Sequence, residues 1–231
     1  MAFLRTLLVW GFGLPVTVFF FTLILIAYVF GYRGGCMGRF TALWGRGILA
    51  LAGVRLRVEG LENIPPERSV IFMSNHQGAF DIPALHCAIP TDFKWVAKKS
   101  LFNVPLIGWS LALAGHIPIE RENAASALKS LEDAVGRIKS GASVVIFPEG
   151  TRSHSDELLP FKRGAFMLAA KSGAPVVPVA IKGTRGILKR GGFFITPADV
   201  CISFGAPVPT EGAGEKMLRT MTKDSILKML G

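Results

Sequence analysis

The longest uncharged segment of this chain contains the run from Leu7 to Phe30, which is rich in leucine, valine, phenylalanine and isoleucine. About 20 apolar residues in a helix are enough to cross the hydrocarbon core of a bilayer, so this segment is long enough to do so. Gly11, Gly13 and Pro15 interrupt its first half, and a kinked helix or a re-entrant hairpin is also compatible with them. A cleaved signal peptide is less favoured, because the apolar stretch exceeds the usual ~7–15 residues and no A-x-A site follows it.

Basic residues follow the apolar segment before any acidic residue appears. Arg33, Arg39 and Arg46 come soon after it, a single arginine precedes it, and the first acidic residue of the chain is Glu59. This distribution predicts an interfacial helix among anionic headgroups, with the body of the protein on the cytoplasmic face of the cell inner membrane. The alternative is a helix that is buried against the globular domain.

The amino-acid composition and the net charge indicate which kinds of molecule the protein binds. Half of the 231 residues are apolar and 18% are charged, which indicates that lipid solvates part of the chain. The formal net charge of +10 favours anionic partners such as membrane headgroups or phosphorylated substrates. We expect no nucleic-acid partner, because no arginine-rich helix or basic–aromatic ribbon stands out. Cys36, Cys87 and Cys201 are odd in number and far apart, so we expect neither a disulfide framework nor a metal site.

After Ala52, short β-branched runs alternate with helical stretches, and this pattern predicts one α/β domain. We expect residues 1–52 to be membrane-anchoring helices and residues 53–231 to be the globular domain. One helix is predicted to begin after Asn123, a good N-cap residue. The predicted strands are Val54–Val58, Ser69–Met73, Phe93–Ala97, His116–Ile119, Ser143–Phe147, Val176–Ile181 and Val200–Phe204, and two more helices are predicted at Phe161–Ser172 and Glu215–Leu230.

A polar cluster follows the predicted strand Ser69–Met73, where α/β folds commonly place their ligands. His76 and Asp81 would diverge on one continuous helix, because five residues turn through about 500°. If His76 lies on a turn and Asp81 begins the next helix, the two side chains can meet, and Pro83 supports a helix start there. A carboxylate bonded to one imidazole nitrogen makes the other nitrogen a better base. The alternative is a purely structural pair.

Two further polar clusters follow or end predicted strands. In Phe147–Arg152 a glycine allows close approach of the backbone to a ligand, and threonine and arginine side chains offer donors to phosphate oxygens. Gly115–Arg121 ends in an arginine that is able to clamp a phosphate. The structural alternatives are an ordinary polar turn for the former and a surface ion pair for the latter.

In combination these residues resemble the 1-acylglycerol-3-phosphate acyltransferases of the glycerophospholipid acyltransferase superfamily. The matching blocks are N-H-x-x-x-x-D at Asn75–Asp81, the arginine-terminated block at Gly115–Arg121, F-P-E-G-T-R at Phe147–Arg152 and V-P-V at Val177–Val179. They occur in the family's order with fitting separations, and the resemblance covers about Val54 to Pro209. Any one motif can arise by chance, whereas four in register make the match highly specific. His116 is a mild departure within the second block.

The resemblance implies a single α/β acyltransferase domain with a mixed central sheet, preceded by an N-terminal membrane-embedded helical segment. It also implies transfer of a fatty acyl group from acyl-CoA or acyl-carrier protein to the sn-2 hydroxyl of 1-acyl-glycerol-3-phosphate, giving phosphatidic acid. The expected partners are therefore the lipid bilayer, a lysophospholipid acceptor and the thioester donor, which is a co-substrate, and no cofactor is expected.

The resemblance implies that His76 is the general base and that Asp81 orients it, with backbone N–H groups around Asn75–Gly78 as donors to the oxyanion. Because no G-x-S-x-G elbow is present and Cys87 has no evident base, direct transfer is favoured over an acyl-enzyme. The expected substrate-binding residues are Asn75, Arg121, Glu149, Gly150, Thr151 and Arg152, with Lys98 and Lys162 as helpers.

Other functions stay open at this level. They are the acylation of another lysolipid or of glycerol-3-phosphate, non-catalytic lipid binding, and thioester hydrolysis. Thiol release that depends on an added acceptor distinguishes acyl transfer from lipid binding and from thioester hydrolysis. A panel of acceptors identifies which lysolipid, or glycerol-3-phosphate, is acylated.

Overall fold

The central element is a seven-stranded sheet. The computed structural model describes residues 2–31, 35–66, 68–120, 123–153, 155 and 157–231, without the side chains of residues 35–37 and 124. The strands in this part of the chain are Arg55–Glu59 (β1), Ile71–Ser74 (β2), Lys94–Lys98 (β3), Ile117–Ile119 (β4), Val144–Ile146 (β5), Val176–Lys182 (β6) and Asp199–Phe204 (β7). Their order is β1–β7–β6–β2–β5–β3–β4, and only β6 and β7 pair antiparallel. The predicted mixed sheet is confirmed.

Helices surround this sheet. They are Ala2–Val29 (α1), Gly35–Ala52 (α2), Asp81–Ala88 (α3), Ile107–Leu113 (α4), Ala124–Lys139 (α5), Arg163–Ser172 (α6) and Glu215–Leu230 (α7), with 3-10 turns at Leu61–Asn63 and Lys99–Asn103. The predicted N-cap is confirmed, because the side chain of Asn123 accepts a hydrogen bond from the Ser126 N–H at 3.1 Å. The short helix α4 is a feature that the sequence pattern did not predict.

Two apolar cores cover the two faces of the sheet. Phe72 points into the core formed with α2 and α3, whereas its neighbours Ile71 and Met73 point into the core formed with α5, α6 and α7. All three side chains are fully buried. This alternation explains why β2 reads as a continuous apolar run, as is usual for a parallel strand that is covered on both faces.

The helix α1 is continuous through Gly11, Gly13 and Pro15, so the structure has no hairpin at these residues. By length and composition it is able to cross a membrane, and most of its apolar surface is exposed. It packs antiparallel on α2, where the Trp44 Nε1–H donates to Thr17 Oγ1 at 3.0 Å. The N-terminal segment is therefore a helical pair, and its first helix is a candidate membrane segment.

Candidate active site

Five strands end at the same edge of the sheet, and the candidate site lies there. The strands β2, β3, β4, β5 and β6 run parallel, so the loops that follow them are neighbours. His76 lies two residues beyond the end of β2, and Phe147–Arg152 follows β5 directly. The segment that follows β6 adjoins both of them. Residues that are far apart in sequence are thus brought together.

His76 and Asp81 are in direct contact, as their spacing predicted. His76 Nδ1 lies 2.6 Å from Asp81 Oδ2. The imidazole ring stacks on Phe147 with ring centroids 3.9 Å apart. The Asp81 side chain has no exposure, whereas 14% of the His76 side chain is exposed. The pair therefore presents the second imidazole nitrogen, Nε2, as a proton acceptor, and its orientation is held from two sides.

Asp81 also organises the loop that carries the histidine. Its Oδ2 atom accepts the backbone N–H groups of Gln77 at 2.7 Å and Gly78 at 2.9 Å, in addition to the imidazole. Asp81 is the first residue of α3, where the helix dipole favours a negative charge. These bonds correct one expectation. The N–H groups of Gln77 and Gly78 already donate to a carboxylate, so they are not available to an oxyanion.

Glu149 holds the same loop from the other side. Its side chain is 1% exposed. One carboxylate oxygen accepts the His76 N–H at 2.8 Å and the other accepts the Leu159 N–H at 3.0 Å. Burial raises the pKa of Glu149, and the two N–H donors act against this rise. Both carboxylate oxygens of Glu149 thus hold backbone segments together, and a role of this side chain in substrate binding stays a prediction.

Asn75 plays a similar structural part. It is 1% exposed, and its Nδ2–H donates to the Ile181 carbonyl at 2.9 Å while its Oδ1 accepts the Ile181 N–H at 2.8 Å. This pair of bonds extends the pairing of β2 with β6 beyond its last partners, Ser74 and Val179. Both polar atoms of the Asn75 amide are thus bonded to Ile181, and substrate binding by Asn75 stays a prediction.

A basic cavity of about 980 Å³ opens next to the histidine loop. Gln77, Gly78 and Ala79 form one side of it, and the segment that follows β6 forms the other. Among the described residues that line the cavity, none is acidic and five are cationic: Arg152, Lys182, Arg185, Lys189 and Arg190. Such a concentration of positive charge in a concave site favours an anionic ligand such as a phosphate group.

The residues predicted to bind the phosphate do not all lie at the cavity. Arg152 lines the cavity, whereas Lys98 and Lys162 are exposed and are not among the lining residues, so their part in substrate binding stays a prediction. Arg121 lies outside the described residues. Gly150 and Thr151 form the turn before Arg152, and Gly150 has a φ of 73°, a conformation that favours glycine.

Four cations of the cavity were missed by the sequence analysis. Lys182, Arg185, Lys189 and Arg190 belong to no motif that the sequence analysis identified, although a signal was available. The chain has no acidic residue from Lys182 until Asp199, and this stretch also contains several glycines. A basic, glycine-rich connection after a central strand is typical of an anion-binding loop.

Two other histidines and a cysteine lie in the core and not at the site. Trp95 donates its indole N–H to His86 Nε2 and its backbone N–H to His116 Nδ1, both at 3.0 Å. Burial lowers the pKa of His86 to about 4 and that of His116 to about 3. Burial also raises the pKa of the Cys87 thiol to about 11. Cys87 is therefore poorly suited to act as a nucleophile.

The fold and site define a class of protein: an α/β domain with an imidazole–carboxylate pair beside an anion-binding cavity, preceded by an apolar helical pair. Residues 55–182 match the Acyltransferase family. The chain belongs to this family.

Named relatives share this domain. The chain is 41% identical over 135 residues to a chloroplastic 1-acyl-sn-glycerol-3-phosphate acyltransferase of Brassica napus, which is 58% of this chain and 39% of that protein. It is 32% identical over 163 residues to the human 1-acyl-sn-glycerol-3-phosphate acyltransferase alpha, which is 70% of this chain and 58% of that protein. The chain thus spans about two fifths of the length of its chloroplastic relative.

A crystal structure shares the whole architecture. The 1-acyl-sn-glycerophosphate (LPA) acyltransferase PlsC from Thermotoga maritima superposes with a TM-score of 0.86 at 27% identity. The match covers 99% of this chain and 94% of that one. The similarity therefore includes the N-terminal helical pair as well as the sheet.

Proposed function

We propose that the chain transfers a fatty acyl group from a thioester donor to the sn-2 hydroxyl of 1-acyl-glycerol-3-phosphate, giving phosphatidic acid. The observation that carries this proposal is the 2.6 Å contact between His76 and Asp81 beside the basic cavity. The names of the relatives support the choice of acceptor. Acyl-CoA and acyl-carrier protein both fit as donor, and the reaction needs no further cofactor.

His76 acts as the general base in this proposal. The Nδ1–H of His76 donates a hydrogen bond to Asp81, which leaves Nε2 to take the proton of the acceptor hydroxyl. The buried carboxylate then stabilises the imidazolium that forms. Stacking on Phe147 fixes the plane of the ring, so the histidine loses little freedom when the acceptor binds.

The acceptor oxygen then attacks the thioester carbonyl carbon. A carbon–oxygen bond forms, the carbonyl oxygen gains negative charge, and the tetrahedral intermediate collapses by breaking the carbon–sulfur bond. The leaving thiolate takes the proton from the His76 imidazolium, which restores the neutral base. The high pKa of Cys87 and the exposed edge of His76 favour this direct route over an acyl-enzyme.

The cavity residues hold the acceptor's phosphate. Arg152 is the first candidate, because its guanidinium is able to bind phosphate oxygens in a bidentate manner and it adjoins the histidine loop. Lys182 and Lys189 add positive charge on the opposite wall. The exposed apolar surface of α1 binds the chain to the bilayer in this proposal. Because the basic residues follow the apolar segment, the proposed site lies on the cytoplasmic face of the cell inner membrane.

The experiment that tests the proposal is acceptor-dependent thiol release by the purified full chain, with and without lysophosphatidic acid. His76→Ala should lower the rate by about 10²–10⁴-fold, the usual effect of losing a general base, and leave membrane association unchanged. Near-normal transfer by this variant would exclude the proposed base. Thiol release at the same rate with and without the acceptor would identify a thioesterase instead. A panel of lysolipids and glycerol-3-phosphate would identify the acceptor.

A further inference from the structure

A short hairpin after β6 connects the cavity to the N-terminal helix. Leu188 and Ile195 form an antiparallel bridge, and the turn between them is closed by the Gly192 N–H, which donates to the Lys189 carbonyl at 2.8 Å. Residues 188–192 of this hairpin line the basic cavity. The hairpin is therefore part of the site wall as well as a surface feature.

The returning limb of the hairpin carries two exposed aromatic side chains. Phe193 is 59% exposed and Phe194 is 62% exposed. The Phe193 ring stacks on Trp10 of α1 with centroids 5.4 Å apart, and its carbonyl accepts the Trp10 Nε1–H at 2.9 Å. Two residues after Phe193, the Ile195 N–H donates to Thr6 Oγ1 at 2.8 Å in a buried contact. The hairpin and the first turns of α1 thus form one continuous surface.

This joint surface has the composition of an interfacial membrane contact. Large exposed apolar residues in the first half of α1, the half that contacts the hairpin through Trp10, are Phe3, Leu4, Leu7, Trp10, Phe12 and Leu14. Lys189 is exposed on the same hairpin, so the hairpin carries both cationic and aromatic side chains. Aromatic rings at the headgroup level with neighbouring lysine or arginine are the usual pattern of a segment that lies in an anionic bilayer surface.

We propose that the hairpin Leu188–Ile195 is a second membrane contact, in which Phe193 and Phe194 enter the lipid layer beside α1. A bilayer fits this surface better than a soluble protein, because the two rings continue the apolar face of a helix that is long enough to cross a membrane. The hairpin sets the mouth of the basic cavity against the headgroups. A lipid acceptor then reaches the cavity without leaving the bilayer.

Photolabelling tests the contact directly and does not depend on the proposed reaction. The full chain is placed in vesicles of phosphatidylcholine and phosphatidylglycerol that contain a phospholipid with a photoreactive acyl chain, and the labelled peptides are identified by mass spectrometry. We expect adducts on Phe193 and Phe194 as well as on α1. Met217 and Met221 are exposed apolar residues of α7 on the opposite layer and should stay unlabelled. Labelled α1 with an unlabelled hairpin would overturn the proposal.

A second measurement uses activity and rests on the proposed function. The double variant Phe193→Ser/Phe194→Ser should raise the KM for a long-chain acceptor in vesicles by at least about tenfold and leave the KM for a short-chain, water-soluble acceptor unchanged. The matched variant Met217→Ser/Met221→Ser should change neither KM. A loss confined to acyl-carrier protein as donor, with acyl-CoA unaffected, would mean that the surface docks a protein, and this would also overturn the proposal.

Discussion

Two buried histidines should make the stability of the domain sensitive to acid. His86 and His116 are both under 10% exposed, and each uses a ring nitrogen to accept a hydrogen bond from Trp95. Their folded-state pKa values, about 4 and about 3, lie below the ordinary histidine value of 6.5. The unfolded chain therefore binds protons first as the pH falls. Stability is complete above pH 6.5 and is lost progressively between that value and the folded-state pKa values.

The size of the effect follows from these pKa values. In this window each histidine costs about 1.36 kcal/mol of unfolding free energy for every pH unit below 6.5. At pH 5 the loss is about 2 kcal/mol for each of them and about 4 kcal/mol for the pair. This is a large fraction of the ~5–15 kcal/mol that stabilises a typical domain, so mild acid should be enough to move an unfolding curve visibly.

Reversible urea unfolding of the detergent-solubilised chain at pH 7.5 and pH 5 measures this loss. The control is the double variant His86→Gln/His116→Asn, whose neutral side-chain amides place acceptors near the positions of Nε2 and Nδ1 and do not titrate. The variant should lose about 4 kcal/mol less than the parent chain between the two pH values. Equal losses in both proteins would refute the reasoning, because the acid sensitivity would then come from other groups.

Three further substitutions test the site. Arg152→Ala should raise the KM for the phosphorylated acceptor about tenfold or more and change the KM for the donor less. The control Lys162→Ala lies away from the cavity wall and should change neither KM. A larger rise in the KM for the donor than for the acceptor would assign Arg152 to donor binding. Asp81→Asn should lower kcat by about 10²-fold or more with a small change in KM, and a pH–rate profile identical to that of the parent chain would contradict its role. Glu149→Gln should lower the unfolding free energy by about 1.5–3 kcal/mol, because one of the two backbone N–H groups loses its acceptor. Denaturant titration measures this change, and an unchanged midpoint would contradict the role of Glu149 in holding the loop.

The strands and the histidine–aspartate contact could be predicted because both depend on local sequence. Every predicted strand appears in the sheet within two residues at each end, since β-branched runs bounded by turns are a local signal. His76 and Asp81 lie five residues apart, so a strand, a turn and a helix start were enough to bring them together. The antiparallel pairing of β7 with β6 was not predictable in this way, because it depends on contacts across the whole sheet.

Burial gives two motif residues a structural role that the sequence did not indicate. Asn75 and Glu149 were assigned to substrate because their side chains are polar and lie in motifs. In the structure each is 1% exposed and uses both polar ends for backbone groups of distant segments, at Ile181 for the asparagine and at His76 and Leu159 for the glutamate. A sequence shows that a side chain is able to form hydrogen bonds, but the partner depends on which strands become neighbours.

The same dependence on strand order accounts for the cavity. Because β6 pairs with β2 in parallel, the segment after Lys182 must leave the sheet next to the loop that carries His76. A glycine of the His76 loop matters at the point of contact: a Cβ at Gly78 would lie 3.1 Å from the Thr184 carbonyl oxygen, which is tighter than ordinary packing. The basic stretch from Lys182 to Arg190 therefore faces the His76 loop because of the strand order and the close backbone approach. A change in strand order would separate the proposed base from the basic wall of the cavity.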